Sequence, residues 1–134
     1  MKVLKRNLKA GFMVLETQTL DDLWYLSQVV SEGDVVKTSS YRRIKDDEDQ
    51  RSKGGKRVRV TLSVLVEKIE LQMDSQVLRV SGAIREGPED LVSLGSHHSF
   101  NIEAKDKVTV YKRAWSKGML GRVRDAVDAS LKPD

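Results

Sequence analysis

The chain of 134 residues contains no cysteine, which excludes disulfide bonds and thiolate chemistry and fits a reducing compartment. Long apolar runs are also absent. The N-terminal segment is interrupted by Lys5, Arg6 and Lys9 and therefore lacks the apolar core of a signal peptide. No run approaches the roughly 20 apolar residues that a membrane-spanning helix needs. The expected location is the cytoplasm.

Common ligand-binding signatures are missing as well. Neither of the glycine-rich phosphate-binding patterns, GxxxxGK[ST] and GxGxxG, occurs in the chain. His97 and His98 are adjacent, and neighbouring side chains of a strand point to opposite faces. With no cysteine and no third histidine, a zinc site is not expected. The sequence therefore predicts no required cofactor.

Charge is the most prominent feature of what is present, and it is concentrated in the stretch from Arg42 to Arg59, RRIKDDEDQRSKGGKRVR. The stretch holds eight basic and four acidic residues, and the difference of +4 equals the formal net charge of the whole chain. Such a density of cations favours a polyanionic partner. The residues predicted to contact RNA are Arg42, Arg43, Lys45, Arg51, Lys53, Lys56, Arg57 and Arg59.

The acidic run within this stretch has two interpretations. Adjacent carboxylates are candidate Mg²⁺ ligands for phosphodiester hydrolysis. The candidate ligands are Asp46, Asp47, Glu48 and Asp49, with Asp46, Asp47 and Asp49 as the candidate catalytic residues. Consecutive loop residues seldom direct their carboxylates at one ion, and a catalytic site needs rigid support. The alternative is that the run balances the neighbouring cations and keeps the loop soluble.

Two helices are predicted outside the strands. Thr19 is a candidate N-cap, and Asp22 completes a variant of the capping box. Trp24 lies at helical spacing among apolar residues, and a closing helix over residues 116–129 has a similar stripe that begins with Trp115. Packing in the core is therefore expected for both tryptophans.

Most of the remaining sequence predicts strands. Residues 1–6 and 11–16 suggest an N-terminal hairpin. The clearest signal has period two, with apolar residues at Val58, Val60, Leu62, Val64 and Val66. After Glu67 and Lys68 the apolar phase shifts by one residue, which predicts a β-bulge or a sharp bend.

These elements predict an α+β fold. Its core is a strongly bent, five-stranded antiparallel barrel, with the N-terminal hairpin and one helix before the barrel and a C-terminal helix after it. Residues 1–130 are expected to form one domain. Residues 131–134 are expected to begin a linker to further domains of a longer protein.

Several segments together resemble the N-terminal domain of the Pelota family, especially its archaeal members. They are DDLWYLSQVVSEGDVVKTSSYRR, RVRVTLSVLVEKIEL, LRVSGAIREG, LVSLGSHHSFNIE and VYKRAWSKGMLGRV, which occur in the same order over residues 1–129. The resemblance implies an Sm-like barrel and a role in ribosome rescue and mRNA surveillance, including no-go decay.

The resemblance also implies partners. They are the ribosome, through rRNA of the small-subunit decoding region and the mRNA channel, a translational GTPase of the elongation-factor type and an ABC-type recycling ATPase. The stretch from Arg42 to Arg59 corresponds to the loop that reaches the A site. The domain is expected to be monomeric rather than an Sm-like ring. The alternative function is a divalent-metal-dependent RNA endonuclease acting on mRNA in stalled ribosomes.

Overall fold

The computed structural model describes residues 1–43, 57–88 and 92–131. It has the predicted α+β architecture, and within these ranges neither helix is long and apolar enough to cross a membrane. The elements in chain order are β1 (Lys2–Asn7), β2 (Phe12–Glu16), α1 (Leu20–Val29), β3 (Val35–Arg43), β4 (Arg57–Gln72), β5 (Val77–Glu86), β6 (His97–Ile102), β7 (Lys107–Tyr111) and α2 (Lys117–Leu131).

The strands form one antiparallel sheet with the order β1-β2-β7-β3-β4-β5-β6. The predicted hairpin is confirmed, and β2 joins it to the rest of the sheet by pairing with β7, where Phe12 lies opposite Tyr111. The hairpin therefore extends the sheet instead of forming a separate unit. In the described residues the pairing runs from β1 at one end to β6 at the other, and closure into a five-stranded barrel remains a prediction.

The apolar alternation of β4 lines the inner face of the sheet. Val60 and Val64 are buried, whereas Thr61 between them is exposed. The phase change that the sequence predicts is confirmed, because the register with β5 shifts between Val66 and Lys68. This bulge bends the longest strand of the sheet over the core.

Gly82 allows β5 to pass close to this bulge. It pairs with Val66, and a Cβ atom at this position would lie 1.9 Å from the carbonyl oxygen of Leu65. No side chain fits at that distance. The presence of glycine at this position therefore has a steric cause.

The predicted capping box begins α1. The Thr19 hydroxyl accepts a hydrogen bond from the Asp22 N–H at 3.4 Å, and the Asp22 carboxylate accepts from the N–H groups of Gln18 and Thr19 at 2.7 and 3.2 Å. Asp22 is buried, and its carboxylate also lies 2.8 Å from the α-amino group of Met1. The helix start is therefore tied to the N-terminal strand.

Core packing of Trp24 is a wrong prediction. The side chain is 50% exposed and contacts Tyr25 edge to face, with ring centroids 5.2 Å apart. The buried stripe of α1 includes Leu23, Leu26 and Val29. Because each helical residue advances by about 100°, Trp24 points away from that stripe.

Trp115 packs against the core as predicted, but it precedes α2, which begins at Lys117. Its indole N–H donates a hydrogen bond to the carbonyl oxygen of Gly11 at 2.9 Å. The helix itself buries Val123 and Ala126. Residues of both helices thus pack in the core on the inner face of the sheet.

Candidate nucleic-acid interface

Four of the eight predicted RNA-binding residues lie at the ends of the two long strands β3 and β4. The last register pairs of this ladder are Tyr41–Arg59, Arg42–Val58 and Arg43–Arg57. The backbone therefore brings four arginines into three consecutive pairs at one end of the sheet. We call Arg42, Arg43, Arg57 and Arg59 the strand roots. Their contact with RNA remains a prediction.

The rest of the predicted site lies outside the described residues. The residues concerned are Lys45, Asp46, Asp47, Glu48, Asp49, Arg51, Lys53 and Lys56. The roles assigned to these cations and carboxylates, including the metal-dependent alternative, therefore remain predictions.

The strand roots emerge from a well-anchored part of the sheet. Ser39 and Thr61 are paired across β3 and β4, and their hydroxyl oxygens lie 2.7 Å apart. One residue earlier, the Thr38 hydroxyl donates to the carbonyl oxygen of Lys107 at 3.0 Å. Val60 is buried beside them. The four arginine positions thus continue a rigid ladder.

The outer face of the sheet carries cations that the sequence analysis did not single out as a group. Across the strands β1, β2, β7 and β3, one row of register neighbours consists of Lys5, Val14, Thr109 and Lys37. A second row, across β1, β2 and β7, consists of Lys2, Glu16 and Lys107. The intervening positions of β2 and β7 are buried, so these rows point away from the core. We call Lys2, Lys5, Lys37 and Lys107 the outer lysine face. Its members come together only through the pairing of β2 with β7, which residue spacing does not reveal.

Another lysine is used inside the fold. Lys112 forms an ion pair with Asp34, and the two side chains are only 5% and 12% exposed. The Asp34 carboxylate also accepts a hydrogen bond from the Ser31 N–H at 2.8 Å, and the Lys112 ammonium lies 5.5 Å from the ring centroid of Trp115. This cluster joins the loop after α1 to the end of β7.

The two histidines do not form a catalytic or metal-binding group with each other. The His97 imidazole lies 2.8 Å from a carboxylate oxygen of Glu67 and is 70% exposed, while the His98 ring is 6.4 Å from that of Phe100. A shallow groove of about 220 Å³ lies between β1 and α2, and neither histidine lines it. Within residues 1–43, 57–88 and 92–131, no three histidine or carboxylate side chains are grouped to hold a metal ion.

Known proteins with similar sequences and structures share this architecture. A Pelota homologue of Methanobrevibacter smithii is 40% identical over 134 residues, which is 98% of this chain and 38% of that protein. A structure of ribosome-bound archaeal Pelota and ABCE1 matches 98% of this chain and 37% of that Pelota chain, with a TM-score of 0.77 and 31% identity. The crystal structure of Archaeoglobus fulgidus Pelota matches 99% and 35%, with a TM-score of 0.72 and 32% identity.

These similarities extend over nearly the whole chain but only part of its relatives. The chain spans little more than a third of the length of the curated relatives that it matches. The sequence profile of the Pelota N-terminal domain matches residues 1–127, from β1 into α2. The chain therefore belongs to the Pelota N-terminal domain family.

Proposed function

We propose that this chain is the ribosome-binding domain of a Pelota-type rescue factor and that the stretch from Arg42 to Arg59 enters the A-site decoding region of stalled ribosomes. The observation that carries the proposal is the placement of Arg42, Arg43, Arg57 and Arg59 at the end of the β3–β4 ladder. Family membership and the ribosome-bound archaeal relative support the ribosome as the partner.

Binding in this proposal is electrostatic. Lysine and arginine side chains near phosphates release condensed counterions, which favours binding whatever the RNA sequence. Arginine also grips a phosphate with two donors. The strand roots supply four arginines, and Lys45, Arg51, Lys53 and Lys56 supply further cations along the stretch. Selectivity for stalled ribosomes then depends on whether the mRNA channel admits the stretch, rather than on reading bases.

The other partners belong to the longer protein. The ribosome-bound archaeal Pelota is accompanied by ABCE1, and an ABC-type ATPase is the partner that we propose for the factor carrying this domain. A translational GTPase would deliver the factor to the A site. The domain itself acts as a monomer in the cytoplasm and takes part in no-go decay by recognising the stalled ribosome.

Charge reversal at the strand roots tests this proposal. In the full-length factor, replacing Arg42, Arg57 and Arg59 by Glu is expected to abolish binding to ribosomes with an empty A site, because attraction to rRNA phosphates becomes repulsion. Cosedimentation measures the binding, and urea unfolding of the domain checks that folding is retained.

A matched control reverses three exposed cations on or next to α2. The control replaces Arg113, Lys117 and Arg124 by Glu, which gives the same change in net charge. Binding of the control close to that of the unmodified factor, together with loss of binding in the root variant, supports the proposal. Unchanged binding of the root variant contradicts it.

A further inference from the structure

The positive charge of the chain is not confined to the stretch from Arg42 to Arg59. Residues 1–15 contain four basic residues and no acidic one, which is a second segment of charge +4. In the structure these residues form the hairpin at one end of the sheet, and every residue of β1 is exposed. The N-terminal hairpin is therefore a second basic region of the molecule.

A β-bulge determines which cations of the hairpin share a face. The register of β1 with β2 shifts between Val3 and Lys5, so Leu4 is an extra residue in the strand. In a regular strand without this bulge Lys2 and Lys5, three positions apart, would point to opposite faces, since side chains alternate along a strand. With the bulge, both lysines lie on the outer face, where β7 and β3 add Lys107 and Lys37.

The outer face of these four strands has a clear excess of positive charge. The two rows of register neighbours defined above contain four lysines and one carboxylate, Glu16, which gives these rows a net charge of +3. In the described part of the chain, none of the four lysines has a carboxylate oxygen within ion-pairing distance. Lys5 instead lies 5.7 Å from the ring centroid of Phe12. Glu16, whose register neighbours are Lys2 and Lys107, offsets part of the positive charge without forming an ion pair with either lysine.

The outer lysine face is also continuous with the strand roots. From Lys37 the same alternation along β3 leads to Ser39, which contacts Thr61 across the ladder. Farther along the same ladder the backbone register pairs Tyr41 with Arg59 and Arg43 with Arg57. We propose that the outer lysine face binds the phosphate backbone of RNA and continues the binding track of the strand roots across the sheet. This inference rests on the proposed function for the identity of RNA as the polyanion.

An anionic membrane is the other surface that attracts clustered lysines, and the structure favours RNA. Membrane binding needs apolar side chains that insert beside the cations. The aromatic groups of β2 and β7 on this face, Phe12 and Tyr111, are half-buried and pack against each other with ring centroids 5.5 Å apart. The exposed large apolar side chains of the hairpin are Val3, Leu4 and Leu8, and none of them is aromatic. Because the aromatic groups of this face are already packed together, its lysines suit a phosphate backbone better than an acyl layer.

The test compares two triple variants of the 134-residue domain that have the same net charge. The face variant replaces Lys5, Lys37 and Lys107 by Gln, and the control variant replaces Arg113, Lys117 and Arg124 by Gln. Fluorescence anisotropy with short poly(U) RNA measures affinity across a range of salt concentrations. Each lost phosphate contact lowers the slope of log K against log salt by about 0.7, so the face variant is expected to lose about 2 and the control much less.

A root variant, with Arg42, Arg57 and Arg59 replaced by Gln, separates this inference from the proposed function. If the face variant has the affinity and slope of the control while the root variant loses binding, the inference is wrong and the proposed function stands. If only the face variant loses binding, the proposed role of the strand roots is wrong and the outer face stands. Loss of RNA binding in both the face variant and the root variant supports one continuous RNA-binding surface.

Binding to phosphatidylserine vesicles tests the alternative that the outer lysine face binds a membrane. Wild-type binding to RNA but not to these vesicles is expected. If the face variant loses vesicle binding and keeps RNA binding, the face is a membrane site and the inference fails. Circular dichroism of each variant confirms that the domain is folded before any loss of binding is interpreted.

Discussion

The two faces of the sheet use lysine in opposite ways. On the inner side Lys112 is buried, paired with Asp34 and placed beside Trp115. On the outer side Lys5, Lys37 and the other members of the outer lysine face lack a carboxylate partner within the described residues. The comparison shows that the surroundings of a cation, more than its residue type, separate a structural role from a role in binding.

The largest expected effect comes from the close contact of β4 and β5. Replacing Gly82 by Ala places a Cβ atom 1.9 Å from a backbone oxygen of Leu65, and the two strands must separate. We expect a loss of about 4 kcal/mol or more in the free energy of unfolding, measured by urea denaturation. The matched control is Gly121 in α2, where a Cβ has no neighbour within 4 Å; Ala there is expected to stabilise the helix by about 1 kcal/mol. Equal stability of the two variants would contradict the steric argument.

The next effect tests the comparison of the two faces directly. Replacing Lys112 by Met leaves the Asp34 carboxylate buried without its counter-charge, and removal of one partner from such a pair costs about 3 kcal/mol or more. Replacing Lys37 by Met on the outer face is expected to change stability by less than about 0.5 kcal/mol. Thermal and urea unfolding measure both variants. Similar losses would mean that the two lysines are equally structural.

A smaller effect is expected at the start of α1. Replacing Thr19 by Ala removes the hydroxyl that accepts a hydrogen bond from the Asp22 N–H. Loss of an N-cap side chain of this type costs about 1 kcal/mol. Replacing Thr19 by Ser keeps the acceptor and serves as the control. If the serine variant is as unstable as Thr19→Ala, the threonine methyl group and not the N-cap hydrogen bond accounts for the loss of stability.

The smallest effect belongs to the outer lysine face taken as a whole. Because none of its members forms an ion pair within the described residues, replacing Lys5, Lys37 and Lys107 by Gln is expected to leave stability within about 0.5 kcal/mol per site. Weak mutual repulsion makes a slight stabilisation the expected sign. A clear destabilisation, measured by urea unfolding at low salt, would mean that these lysines support the fold.

Local signals in the sequence were sufficient for the individual elements. The period-two pattern of β4 identified a strand, and the phase change after Glu67 identified the bulge that the register shows. Thr19 and Asp22 marked the start of α1 because a capping box depends only on residues three positions apart. Trp24 was misplaced because apolar character alone did not show which side of the helix faces the core.

The pairing of strands that lie far apart in the chain could not be predicted from the spacing of residues within each strand. The pairing of Phe12 with Tyr111 joins residues far apart in the chain, and no pattern within either strand specifies the other. The outer lysine face depends on that pairing and on the bulge at Leu4. From the sequence, Lys5 was only an interruption of an apolar segment, and the other three lysines had no assigned role. Of the candidate site, the strand roots were predictable from the strands, whereas their continuation across the sheet was not.

The pairing of β2 with β7 also has a consequence for synthesis of the protein. The hairpin of β1 and β2 is synthesised well before β7, its neighbour in the sheet. An isolated two-stranded hairpin is only marginally stable in water. The hairpin therefore gains its full support only after residue 111 has left the ribosome, and contacts so distant in sequence slow the closing step.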